Sequence, residues 1–168
     1  MLGRSDTTLQ TVGAHREHLQ ALHRLSAPVA CNECHLVPAQ FDSPGHVDHQ
    51  PPAVVFPPDA GDLARRDGAV PSYDHATATC TSYCHGSGAL LSQDTAPGIN
   101  RTPVFNGGPG QAACGSCHGI PPQIPGQTVH TGKTLTDCHT CHPSTVTPAG
   151  NIIVGADAGS THIDGQVQ

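Results

Sequence analysis

The sequence predicts a mostly coil chain with short α-helices and little β-structure, whose interior is not filled by its own side chains. Three observations predict it. Of 168 residues, 36% are hydrophobic and 3% aromatic, with no tryptophan, against roughly 45–50% apolar residues in ordinary soluble domains. Glycine supplies 19 residues and proline 16, and both interrupt regular helices and strands. Such a composition alone describes a disordered segment. The third observation opposes disorder: 8 Cys and 13 His, the side chains that tie a chain to metals, cofactors or disulfides.

Charge and length exclude several function classes. Seven basic residues stand against thirteen acidic, for a net charge of −6, and Lys133 is the sole lysine. A nucleic-acid surface needs a basic stripe, which is missing. There is no run of ~18 apolar residues, so no membrane span is expected. The start, Met1 to Asp6, has no apolar h-region; the expectation is a chain whose leader has been removed or one that is part of a longer protein.

Along the chain, Thr8 to Leu25 reads as a helix, with Val12, Leu19, Leu22 and Leu25 on one stripe. His15 lies near the middle of that stripe and His18 at its edge, so one turn offers two imidazoles. Prolines on both sides of Val54 and Val55 leave at most a short edge strand there, followed by a polar stretch to Thr79. Gly115 to Gly126, containing Gly119-Ile-Pro-Pro122, is irregular. Asn151-Ile-Ile-Val154 is a second short apolar piece. Short helices are expected around the cysteines.

The cysteines fall in four close pairs, each followed at once by histidine. They read Cys31-Asn-Glu-Cys34-His35, Cys80-Thr-Ser-Tyr-Cys84-His85, Cys114-Gly-Ser-Cys117-His118 and Cys138-His-Thr-Cys141-His142. Three are CxxCH, the attachment sequence of c-type haem. The chemistry needs that order: two thiols add across two haem vinyl groups, and the adjacent imidazole becomes an axial iron ligand. The second motif has one extra residue, which must bulge, but it supplies the same three groups. Zinc is the first competing reading, since Cys114/Cys117 and Cys138/Cys141 approach zinc-ribbon spacing. A disulfide scaffold is the second. Neither explains a histidine after every pair. Thioredoxin-like chemistry lacks its βαβ context. Four covalent haems, with His35, His85, His118 and His142 as proximal ligands, account for all eight cysteines and replace the missing core.

Each iron has a second axial position. Met1 is the sole methionine, so four irons cannot draw on methionine. The supply is His15, His18, His23, His46, His49, His75, His130, His139 and His162. Bis-His iron is closed to substrate and lacks the methionine that raises potential, which favours a carrier over an enzyme. His139 lies inside its own motif and points away from its own iron. His49 and His75 sit in loops and read as exposed. His23 precedes Cys31 by the same offset as His130 precedes Cys138. His46-Val-Asp48 and His162-Ile-Asp164 read as one distal-ligand unit used twice, its Asp orienting the imidazole. This makes a weak internal repeat over about 15–58 and 130–168, within a single tetrahaem domain spanning 1–168.

The order Gly13-Ala-His15-Arg-Glu-His18-Leu19, CNECHLVP, Gly45-His46-Val-Asp, Cys80-Thr-Ser-Tyr-Cys84-His85-Gly86, CGSCHGIPP, His130, CHTCHP and His162-Ile-Asp-Gly165 resembles the multihaem c-type cytochromes of Geobacter-like bacteria. Their module mixes a longer cysteine spacing with CxxCH. The resemblance implies electron transfer at the outer surface or outside the cell, with the periplasm as the alternative, in some members as polymeric filaments. It implies distal ligands at His18, with His15 as alternate, and at His46, His130 and His162. Partners are then further copies of the chain, redox proteins or extracellular acceptors. The short apolar pieces at 54–56 and 152–154 would serve such docking. Two other function classes stay open at this point: a multihaem reductase with one open iron, and a zinc-stapled binding module.

Overall fold

The computed structural model describes residues 5–20, 25–40, 42–43, 55–58, 61–108, 110–154 and 161–164. Two helices occur among them, α1 (His15–Gln20) and α2 (Cys138–Cys141), with one antiparallel pair, β1 (Ser72–Asp74) and β2 (Thr79–Thr81). Single 3-10 turns lie at Cys31–Glu33, Tyr83–His85, Leu91–Gln93 and Leu135–Asp137, and Leu63–Gly68 is a longer 3-10 stretch kinked at Arg66 and Asp67. The remaining described residues are turn, bend and coil. The chain is mostly coil with little β, as its glycine and proline content predicts.

The N-terminal helix is shorter than its apolar stripe predicts. Residues 7–14 form turns, and the helix begins only at His15. Gly13 sets this limit: its φ is +38°, and a Cβ there would overlap the Phe105 ring. A left-handed residue ends helical propagation, and only glycine tolerates both the angle and the close approach. Leu22 lies outside the described residues. So does Val54; Val55 and Phe56 form a bend rather than an edge strand. Ile152 bridges Val146 in a single antiparallel pair.

The β1–β2 hairpin falls in the stretch that reads as merely polar. Its turn is built by Asp74, whose carboxylate accepts from the Ala76 N–H at 2.8 Å and the Thr77 hydroxyl at 2.9 Å. Such an aspartate turn reverses the chain without help from glycine. Tyr73 pairs with Cys80 in register, and Val104 bridges Thr79 on the far side. A cysteine of the second motif is thereby placed in a strand.

Few large side chains are buried. Among the described residues the buried apolar ones are Val12, Ala64, Ala69, Ala78, Cys80, Ile124 and Val146, and Ser116 is the largest fully buried side chain. Conversely, several large apolar residues are exposed, Ile99 and Val70 most of all. Some adjoin histidines in sequence: Leu19 follows His18, Leu36 and Val37 follow His35, and Val129 precedes His130 and is 69% exposed. Side chains of this kind normally form the core. No described helix is long and apolar enough to cross a membrane.

Candidate functional site

Each cysteine motif acquires its shape from local hydrogen bonding. In the first, the 3-10 turn Cys31–Glu33 lets the His35 N–H donate to the Cys31 carbonyl at 2.9 Å. In the fourth, Thr134 and Asp137 form a reciprocal capping box that starts the helical turns carrying Cys138–Cys141, and the His142 N–H donates to the Cys138 carbonyl at 2.8 Å. The second motif absorbs its extra residue by division of labour. Cys80 lies in β2, and the turn Tyr83–His85 starts afterwards, ending at Gly86 with φ +83°. The third motif has no helical turn because Gly115 is left-handed, with φ +83°.

All eight cysteines are free thiols, so no disulfide scaffold is present. Burial pushes the Cys80 and Cys84 thiols up to about 12 and, with Glu33 and Cys31 adding to it, Cys34 up to about 11. These thiols are protonated at neutral pH, unlike those of a thiolate redox site.

The four motif histidines each face a second imidazole. Ring centres are 6.1 Å apart for His15 and His35, 6.2 Å for His18 and His85, 6.2 Å for His118 and His162, and 6.4 Å for His130 and His142. The interplanar angles are 24°, 90°, 67° and 48° in the same order. The pairs stand apart: among the described residues no three His, Cys, Asp or Glu gather as a metal-ion cluster.

The second member of each pair is oriented by a backbone carbonyl. His15 Nδ1 bonds to Val12 O at 2.8 Å, His18 Nδ1 to Ala14 O at 2.8 Å, His130 Nδ1 to Pro122 O at 2.9 Å, and His162 Nδ1 to Leu25 O. A carbonyl only accepts, so each Nδ1 carries a proton and Nε2 is the nitrogen left to meet a metal. Burial, with His18 beside it, pushes the His85 pKa down to about 4. Burial likewise pushes His162 below the usual histidine range. Phe105 braces two of the imidazoles, edge-on to His15 at 5.0 Å and stacked on His18 at 6.0 Å.

Of the histidines expected as distal ligands, His18, His130 and His162 each face a motif histidine. His15, held as the alternate to His18, faces one too. His46 lies outside the described residues, as do His23 and His49. His139 bonds through Nδ1 to Val146 O at 2.6 Å, and exposed His75 packs against Tyr73 at 4.9 Å. His15 and His18 lie three residues apart on α1, so one turn presents both imidazoles to motif histidines.

Residues 79–118 match the family described as the Geobacter CxxxxCH...CXXCH motif. This segment is similar to a Geobacter-like cytochrome c haem-binding module. It contains the second and third motifs, and its first spacer, Thr81-Ser82-Tyr83, is one residue shorter than the description's four. Comparisons with curated proteins and with solved structures find no match. The module implies covalent haem c and cytochrome c electron transfer, and its attachment motifs fit an exported protein.

The residues fit that group. A metal–nitrogen bond of about 2 Å on each side, plus about 1 Å from nitrogen to ring centre, puts imidazoles on opposite faces of one iron about 6 Å apart. All four separations meet this value. Beside Cys114 lies a half-open groove of about 680 Å³ lined by Leu25, Thr147 and residues 150–154. The apolar piece Ile152–Val154 lines this opening.

Proposed function

We propose that the chain is a tetrahaem c-type cytochrome, one unit over residues 1–168, which carries electrons along four bis-His haems. The four imidazole pairs carry this reading. On this reading His15 would share the iron of His35, His18 that of His85, His162 that of His118 and His130 that of His142; His46, also expected as a ligand, lies outside the described residues. Haem supplies the one-electron iron chemistry, and the protein supplies attachment, orientation and exclusion of water. Imidazoles held on both sides would leave neither water nor substrate a place on such an iron, which favours a carrier over a reductase.

Neighbouring sites share structural parts. His15 and His18 lie three residues apart on α1, a rise of about 4.5 Å, which ties the first site to the second. The second touches the third where Gly86 packs on the Cys117 carbonyl, so closely that a Cβ would not fit. The third and fourth share the loop 119–123, whose Gly119 and Pro122 carbonyls hold His118 and His130. The sites thus form a series in chain order, which suits stepwise electron transfer.

Work outside the cell, and head-to-tail assembly that extends the series from copy to copy, belong to the same proposal. Support comes from the exported character of haem-attachment motifs and from the resemblance to filament-forming cytochromes; a heterologous interface that does not close builds a filament. Mass spectrometry tests both parts. The denatured chain is expected to carry four haem adducts, with Cys80 and Cys84 inert to alkylation. The native protein is expected to run as multiples of one chain mass. Three adducts with Cys80 and Cys84 alkylated would remove the second site, and a strictly single-chain native species would remove the filament.

A further inference from the structure

Asp94 is buried at 7% exposure and lies between the second and third cysteine motifs, in neither of them. It ends the turn Leu91–Gln93, and its carboxylate grips the loop 119–123 by backbone alone. Oδ2 accepts from the Gly119 N–H at 2.8 Å, and Oδ1 accepts from the Gln123 N–H at 2.7 Å and from Ala96 N–H at 3.0 Å. The neighbouring Thr95 N–H donates to the Gln123 carbonyl at 2.9 Å, closing the grip. Burial raises its pKa, but the bonds from Gln123, Gly119 and Ala96, with His118 nearby, outweigh it and hold the carboxyl below its usual range. It is a fixed anion.

The gripped loop holds two imidazoles of different sites. His118 Nδ1–H donates to the Gly119 carbonyl at 2.7 Å, and His130 Nδ1–H donates to the Pro122 carbonyl at 2.9 Å. Gly119 and Gln123, the residues Asp94 clamps, flank these carbonyls. We infer that Asp94 is a positioning residue that sets imidazole orientation and reduction potential at two haem sites together, those of His118 and His142. The inference rests on the ligand pairs proposed above. A buried anion favours the more positive, oxidised iron, and a fixed carbonyl acceptor makes an imidazole more basic, which acts in the same direction. Loss of Asp94 therefore raises both potentials.

The test uses the matured holoprotein. Haem-methyl proton shifts and midpoint potentials are measured for wild type, Asp94→Ala and Asp94→Asn, with His162→Ala and His130→Ala marking which signals belong to which site. In Asp94→Ala, the marked two haems are expected to change their methyl shifts and move to higher potential, while the sites of His35 and His85 keep theirs. Asp94→Asn retains an oxygen for two of the three N–H donors, so methyl shifts return toward wild type while both potentials stay raised. Unchanged spectra in Asp94→Ala, or an equal change at all four haems, overturn the inference. Should Asp94→Ala not mature, Asp94→Asn alone decides by whether exactly the marked potentials rise. Failure of the ligand pairs would show separately, as high-spin iron in the wild-type protein.

Discussion

A chain made without haem attachment is expected to be unfolded. Expressed in a host lacking cytochrome c maturation, or with its cysteines replaced by serine, it should show no cooperative thermal transition and collapsed amide dispersion. The ordering cost is roughly 1–2 kcal/mol per residue for the backbone alone. On the other side stand buried residues that are mostly alanine, serine and threonine, with Val12, Ile124 and Val146 the larger apolar ones. Large apolar side chains such as Val129 and Leu36 are exposed, and a bound haem would have to cover them. The stabilisation lost is thus the whole of the folding free energy, typically 5–15 kcal/mol. A well-dispersed, cooperatively melting apo-chain would mean that the protein supplies its own core.

The second large effect is at α1. Replacing either His15 or His18 by Ala should leave all haems attached, because the thioethers are untouched, but should open one iron in each variant. That iron becomes high-spin and binds added cyanide or carbon monoxide, and the two variants open different irons. The double variant should open two. The pairing makes the claim sharp: His15→Ala acts on the haem of His35 and His18→Ala on that of His85, with ring separations of 6.1 and 6.2 Å to compare. A silent His15→Ala variant would return the first site to another histidine, and a silent His18→Ala variant would do the same for the second.

The attachment chemistry was legible because it is local: Cys, Cys and His must adjoin, and the spacing writes itself into five or six residues. The low-aromatic, glycine- and proline-rich composition likewise made the coil legible. The second imidazole of each pair was less so. His130 was marked by its offset before Cys138, yet its partner is the histidine that follows that motif, brought near by the turns at 134–137. His162 reaches His118 across the chain and is held by Leu25 O, a contact no spacing reveals. The three-residue spacing of His15 and His18 already put two imidazoles on one helical turn, but the family resemblance kept only one of them as ligand; in the structure each faces a motif histidine. The helix start at His15 was hidden because Phe105, distant in sequence, forces Gly13 into its left-handed turn. The hairpin was hidden because its strands are three residues each and its turn depends on Asp74 rather than on Asn-Gly or Asp-Gly.

The central claim, that each motif histidine shares its iron with the imidazole facing it, is tested most directly by electron paramagnetic resonance of the oxidised holoprotein with the spins counted against chains. Four low-spin ferric irons per chain are expected, with no high-spin signal. Their anisotropy should differ, because imidazole planes 24° apart split the iron d orbitals strongly whereas planes at 90° leave them nearly degenerate. A rhombic signal from the His15–His35 site should therefore accompany a highly anisotropic one from the His18–His85 site. A stoichiometric high-spin iron in the native protein, or fewer than four low-spin irons, would contradict the account.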